Sequence, residues 1–234
     1  MSKPAYKRVM LKLSGEALLG KQDYGVDAEV VKNFCQQLIE INEMGVAVAV
    51  EIGGGNIYRW RDAQAGISRE VADLMGIMGS VMNALNFSDI GGEKIEALSS
   101  LSVPAALNDY TIRKANKYLA AGKVVVIGGG TGDQFSTTDT GAALHALQLG
   151  CEVVLKGTNV DGIYDSDPQE NPQAQKYDQL TYDEALKKKL NAMDMTAFAL
   201  CRENNLPMVV FDVLAEGNLK KVVLGEKIGT KVEK

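Results

Sequence analysis

The chain has 234 residues, 46% hydrophobic and 24% charged, the balance of an ordinary globular protein long enough to bury a real core in one generous domain. Its 25 Lys+Arg against 30 Asp+Glu give a net charge of −5, which argues against a protein that lives on nucleic-acid phosphates. Three scattered cysteines (Cys35, Cys151, Cys201) without C-x-x-C spacing, and the single histidine His145, exclude a disulfide framework and a zinc cluster. The basic N-terminal stretch lacks the long apolar run of a leader, and the longest apolar runs, such as Val46–Val50, are strand-length. A cytoplasmic protein with no membrane partner is expected.

In chain order, Lys7–Leu13 predicts a strand, and Asp27 caps a helix running to about Met44. Val46–Ile52 is a second strand, apolar enough to be covered on both faces. A long apolar helix follows from about Ser68 to Phe87, then a strand candidate at "KIEALSS" (94–100), then a helix from an Asp109 cap to about Ala121. Lys123–Gly129 is the clearest strand. A helix from Thr138–Asp139 ends at Gly150, and Glu152–Gly157 is the next strand. Asp165–Gln179, polar with two prolines, reads as a long surface loop. Thr181 and Glu184 have capping-box spacing, a further helix starts at Asp194, Met208–Val213 is a strand, and a last helix lies near Asn218–Leu224. This alternation predicts a three-layer α/β/α sandwich around a mostly parallel sheet.

Four of the strands end in glycine-bearing turns: Ser14–Gly15, Gly53–Gly55, Gly128–Gly130 and Lys156–Gly157. Ligands of open α/β sheets bind beyond the carboxyl ends of strands, where glycine lets main chain approach phosphate oxygens. No G-x-x-x-x-G-K-[ST] run exists, so the site is not a P-loop. "GGGTGD" (Gly128–Asp133) approaches the dinucleotide fingerprint but ends in Asp133, and its helix starts late. Lys12, Arg59 and Lys156 lie at these turns and suit transfer of a phosphoryl group, which needs its oxygens positioned and neutralised. Lys12 could equally point to solvent from its strand. Asp139 at a helix start serves the dipole, or holds the two lysines through charge-assisted bonds.

The motifs "KLSGEAL" (Lys12–Leu18), "GGGN" (Gly53–Asn56), "TTDT" (Thr137–Thr140), "VDGIYDSDP" (Val160–Pro168), "MD" (Met193–Asp194) and "LP" (Leu206–Pro207) occur in that order. Together they resemble bacterial uridylate kinases, within the amino acid kinase superfamily, from about Tyr6 to Thr230. The resemblance implies transfer of the γ-phosphate of ATP to UMP, with Mg²⁺ held mainly through phosphates and no dedicated metal ligand known. It implies Lys12, Arg59, Asp139 and Lys156 as the catalytic set. ATP would be held by Lys12, Leu13, Ser14, Gly15, Gly55, Arg59, Thr158, Tyr164 and Asp167. UMP would be held by Gly54, Asp73 and the loop Thr131, Gly132, Asp133, Gln134, Phe135, Ser136, Thr137 and Thr138. One domain over 1–234 is implied, with the acceptor site and subunit contacts mainly in 1–122 and the ATP site mainly in 123–234. The resemblance also implies a homohexamer, with dimer contacts in the 68–87 region, a GTP activator linked to Gly20–Gly25 and a UTP inhibitor.

The chain departs from the family pattern in two places. After "GGGN" it reads "YRWRDAQAG", with Trp60 where the family has Arg-Gly, and its acceptor loop is "GTGDQFSTTD" where "GTGNPFFTTD" is common. Asp133 brings a carboxylate that costs affinity if it faces a phosphate ligand. These changes keep open a related kinase with another phosphate or carboxylate acceptor. A non-catalytic nucleotide or oxyanion binder is the other alternative, against which stands the full charge set of Lys12, Arg59, Asp139 and Lys156. Elsewhere, Met75, Met78 and Met82 read as core filler. Gly76 and Gly79 would alternatively allow close helix contact across a subunit interface. Lys187–Lys189 reads as a solvated helix face, and His145 as structural.

Overall fold

The computed structural model describes residues 3–59, 66–168, 170–190 and 193–234. Its central sheet is built from β1 (Arg8–Leu13), β2 (Ala47–Ile52), β3 (Ile95–Ser99), β4 (Asn108–Asp109), β5 (Val124–Gly128), β6 (Val153–Thr158), β9 (Gln179–Thr181), β10 (Met208–Asp212) and β11 (Thr230–Glu233). These nine strands run in the order β4-β3-β5-β2-β1-β6-β10-β11-β9. Every pairing is parallel except β10 with β11. Strands β7 (Ile163–Tyr164) and β8 (Lys176–Tyr177) form a separate antiparallel ladder.

Helices α1 (Ala28–Glu43), α2 (Arg69–Gly91) and α7 (Asn218–Val223) bury apolar side chains against one face, with Phe34, Leu38, Phe87 and Leu219 in that core. Helices α3 (Ile112–Ala120), α4 (Thr138–Leu149), α5 (Tyr182–Lys187) and α6 (Met195–Glu203) cover the other, around Met10, Val154, Ala142 and Phe198. Alternate residues of β1 and β2 enter the two cores in turn, which is why these strands read as apolar throughout. The three-layer sandwich is as expected.

The caps follow the sequence closely. Asp27 Oδ1 accepts from the Glu29 and Val30 N–H groups at 3.0 and 3.4 Å, and Gly150 ends α4 at φ +66°. Thr181 and Glu184 form a reciprocal capping box.

Five expectations need correction. Asp109 does not cap α3. It lies in β4 beside Ser99, and Thr111 caps the helix by accepting from the Lys114 N–H at 3.2 Å. Helix α2 runs on to Gly91, because no breaker interrupts it before Gly91–Gly92. The 165–179 loop is drawn closed at its base by the β7–β8 ladder and leads directly into β9. The last strand, β11, was not expected, since "TKVE" is short and half polar and gains its place only by pairing with β10 and β9. Finally, the α2 methionines are not core filler. Met75, Met78 and Met82 are 39%, 51% and 53% exposed and share a surface with Val71 and Leu85. Gly76 and Gly79 instead face the Gly53–Gly55 turn and the Ile57–Tyr58 segment of the same chain. No helix among the described residues is long and apolar enough to cross a membrane.

Candidate active site

Strands β5, β2, β1 and β6 are neighbours, and their carboxyl ends bring the four glycine-bearing turns to one edge of the sheet. From β1 the chain moves first to β2 and later returns to place β6 on the other side, so the order reverses at the β1–β6 junction, where open α/β sheets form a crevice. Lys12 and Lys156 are register partners across that junction. The carboxylate of Asp139, in the first turn of α4, lies between them: Lys12 Nζ stands 2.9 Å from Oδ1, and Lys156 Nζ donates to Oδ2 at 2.6 Å. Lys12 and Asp139 are each only 9% exposed, so Lys12 is not a solvent-facing strand residue.

Burial alone would raise the Asp139 carboxyl, but the two ammonium groups hold it below the ordinary carboxylate range. Burial lowers the Lys156 ammonium, against the pull of Asp139, and the neighbouring charge of Lys12 adds to the lowering. The arrangement is a buried centre with more positive than negative charge, which suits an incoming polyanion.

Helix α4 is fixed at this point by side-chain bonds. Thr137 Oγ1 accepts from the Asp139 and Thr140 N–H groups at 3.1 and 3.3 Å. Thr137 and Thr140 hydroxyls both donate to Asp194 Oδ2, the latter at 2.9 Å. Asp194 in turn caps α6 by accepting from the Ala197 N–H at 2.8 Å, so one carboxylate ties two helix starts together. Asp194 belongs to the quoted "MD" motif, yet nothing in its spacing indicated this task.

Three adjoining cavities follow the strand ends. The first, about 360 Å³, is lined by Lys12, Ser14, Gly15, Gly54, Gly55, Arg59, Asp73, Thr131, Asp133, Ser136, Thr137 and Thr138 of the expected set, and also by Glu16, Tyr58 and Ser80. The second, about 520 Å³, is lined by Lys156, Thr158, Tyr164 and Asp167, with Lys188, Lys189 and Val210 added. A smaller one of about 260 Å³ joins them and shares Lys12, Ser14, Lys156 and Thr158. Lys187–Lys189 is exposed as expected, but its last two members border the second cavity. Tyr164 is held by donating its hydroxyl to Asp161 Oδ1 at 2.6 Å, and Lys176 pairs with the same carboxylate at 3.1 Å.

Several expected residues lie elsewhere. Leu13 is fully buried in the core on the α1 side, and only its carbonyl reaches the strand end, where it accepts from the Gly53 N–H at 2.9 Å. Gly132, Gln134 and Phe135 are not on the cavity walls. Phe135 is 62% exposed with φ +59°, and its N–H donates to Asp73 Oδ2 at 3.0 Å. Asp73 therefore clasps the 131–138 loop as well as bordering the first cavity. Arg59 is held at the rim, donating from Nε to the Gly55 carbonyl at 3.0 Å and pairing with Glu16. Trp60 lies outside the described residues.

The strand-end glycines have a reason other than the one read from sequence. A Cβ on Gly54 would stand 2.1 Å from the Gly76 carbonyl and 2.5 Å from the Ser80 nitrogen, so the turn after β2 lies directly on the backbone of α2. A Cβ on Gly15 would meet the Gly55 nitrogen at 2.8 Å and the Gly53 carbonyl at 2.9 Å. At both positions glycine lets main chain meet main chain within the protein. Asn83 seals the same junction, donating to the Gly53 carbonyl and to Asn56 Oδ1, both at 2.7 Å.

Among the described residues no group of three His, Cys, Asp or Glu could hold a metal ion. Asp139, the carboxylate at the centre, is already shared by two ammonium groups.

The model of the amino acid kinase family matches residues 7–212. Among solved structures, UMP kinase from Bacillus anthracis is 32% identical with a TM-score of 0.93, over 97% of this chain and 96% of its own. UMP kinase from Ureaplasma parvum is 32% identical with a TM-score of 0.91, over 97% and 99%. Uridylate kinase from Archaeoglobus fulgidus is more distant, at 26% identity and a TM-score of 0.75, over 96% and 99%. The chain belongs to the amino acid kinase family and shares the fold of its UMP kinase members over nearly its whole length.

Proposed function

We propose that the chain is a UMP kinase, transferring the γ-phosphate of ATP to UMP to give UDP and ADP in pyrimidine nucleotide synthesis. The observation that carries this reading is the Lys12–Asp139–Lys156 centre at the meeting point of two cavities, each large enough for a nucleotide portion. ATP lies along the second and joining cavities, its adenosine near Thr158, Tyr164 and Asp167 and its phosphates passing Ser14 and Gly15. UMP occupies the first, toward Gly54, Asp73 and the 131–138 loop. In this reading the acceptor site and subunit contacts belong mainly to 1–122 and the ATP site mainly to 123–234, with Ser14 and Gly15 reaching across to the ATP phosphates and the 131–138 loop reaching across to UMP.

Phosphoryl transfer is dominated by positioning and charge neutralisation. Lys12 and Lys156 meet the negative charge that spreads over the transferring group, and Asp139 keeps both ammonium groups aimed. Arg59, once it exchanges Glu16 for phosphate oxygen, draws donor and acceptor together. The acceptor's own phosphate oxygen is the nucleophile, so no general base is required. Mg²⁺ bound to the ATP phosphates supplies further neutralisation of their charge. Asp133 on the wall of the first cavity places a carboxylate on the acceptor side, and it disfavours acceptors with additional negative charge.

The exposed α2 face around Met75, Met78 and Met82 supports assembly of copies through this helix, with a homohexamer as the final state. A cytoplasmic location, GTP activation and UTP inhibition complete the reading. A coupled ADP-release assay with ATP, Mg²⁺ and a panel of UMP, CMP, dUMP, AMP and GMP tests it. Selective turnover of UMP is expected. ATP binding without turnover of any acceptor in the panel contradicts it and favours the non-catalytic alternative.

A further inference from the structure

Behind Lys12, away from the cavities, lies a second buried acid. Glu51 is the register partner of Lys12 on the neighbouring strand β2, and partners across a parallel pair project to the same face. Glu51 is 0% exposed, and its Oε2 is 2.8 Å from Nδ1 of His145, itself 3% exposed on α4. Its other oxygen, Oε1, has no hydrogen-bond partner. A Cβ at position 141 would stand 3.0 Å from that oxygen, so Gly141 leaves the carboxylate its room against α4. Tyr110 closes the far side, its ring centroid 4.3 Å from that of His145 and its hydroxyl donating to Gln148 at 2.9 Å.

A buried carboxylate is costly unless nearby charge repays it. The charged and titratable groups that act on this one are His145 on α4 and Lys12 on β1, and Tyr110 ahead of α3 feels its charge. The two lysines share one ion-paired carboxylate, Asp139, while Asp194 also acts on Lys156 and Lys12 also acts on Glu51. Burial raises the Glu51 carboxyl, while His145 and Lys12 both act to keep it ionised. Neither Glu51 nor His145 lines the three cavities at the strand ends. We propose that Glu51 and His145 are a positioning pair that fixes the placement of Lys12 from behind while phosphate engages it from the front. The proposal deepens the kinase reading and rests on it. It accounts for a glutamate at the penultimate position of an otherwise apolar strand.

His145 is the chain's single histidine, so its imidazole nitrogen signals are unambiguous in an NMR spectrum. Saturating the wild-type protein with ATP and Mg²⁺ is expected to move those signals, because phosphate engages the Lys12 ammonium whose charge acts on Glu51. The same titration of Glu51→Gln is expected to leave His145 unmoved. In that variant kcat falls about tenfold or more while KM for ATP stays within about threefold. Unmoved His145 signals in an ATP-saturated wild type overturn the proposal, as does Glu51→Gln with wild-type kcat. If Glu51→Gln does not fold, the wild-type titration decides alone. It needs no acceptor, so failure of the proposal stays distinct from failure of the kinase reading.

Discussion

The first and second cavities meet at the lysine pair but are built in opposite ways. The first is walled by strand-end turns and a long helix in direct backbone contact, with Gly54 against Gly76 and Ser80, and Gly15 against Gly53 and Gly55. The second is walled by a two-stranded ladder, the segment after α5, and exposed bonds such as Asp161 with Tyr164 and Lys176. A rigid wall fixes an acceptor in line, and a wall of exposed side chains grips the remote part of a donor. The contrast predicts that equal perturbations cost far more on the first side than on the second.

The largest effect is expected at the junction both share. Asp139→Asn leaves two buried ammonium groups without their carboxylate, a loss of about 3–5 kcal/mol in stability and on the order of a hundredfold or more in kcat. Its pH dependence has a definite sign. The native Asp139 carboxyl is held below its ordinary range, so its stabilisation is complete above the unfolded carboxylate value of about 4 and is lost as pH falls through the lowered native value. Melting curves of wild type and variant should therefore differ most near neutrality and converge in strong acid.

Next comes the first wall alone. Gly54→Ala forces a methyl group into the backbone of α2, and about 3 kcal/mol of destabilisation is expected, read as a fall of several degrees in Tm. A Tm within one degree of wild type would mean the turn and helix are not held as rigidly as described. On the second wall, Asp161→Asn breaks only exposed bonds, so KM for ATP should rise by less than about fivefold with kcat unchanged. A loss as large as that at Asp139 would erase the contrast.

The smallest expected effect is none. Burial pushes the thiols of Cys35 and Cys201 up to about 11 and that of Cys151 to about 12. All three are buried, so a thiol reagent at pH 8 should label none of them until denaturant is added. Fast labelling of the native protein would show that the cores open more readily than their packing implies.

The same contrast explains what could be read from the sequence. Strands buried on both faces and helix caps such as Asp27, Thr181 and Gly150 are local signals, and the sandwich follows from them. The first cavity was legible because it lies at strand ends marked by glycine, although those glycines turn out to serve contacts between protein backbones. Strand β11 and the β7–β8 ladder depend on partners far along the chain, so periodicity was silent there, and Tyr164 and Asp167 were found only through the motif they sit in. The Asp194 bridge between α4 and α6, the Glu16–Arg59 pair and the Glu51–His145 pair join residues 43 to 94 positions apart. No spacing rule reaches that distance. The exposed methionines of α2 show the converse limit, since an apolar helix face gives the same pattern whether it faces its own core or another chain.

The most direct test follows the γ-phosphate of labelled ATP in the presence of UMP, with wild type and Lys12→Ala side by side. The account predicts labelled UDP from the wild type and a fall on the order of a hundredfold or more in kcat for the variant, with KM for ATP changed only a few-fold. Labelled UDP formed equally well without Lys12, or equal losses in kcat and in ATP binding, would contradict the role assigned to the lysine centre.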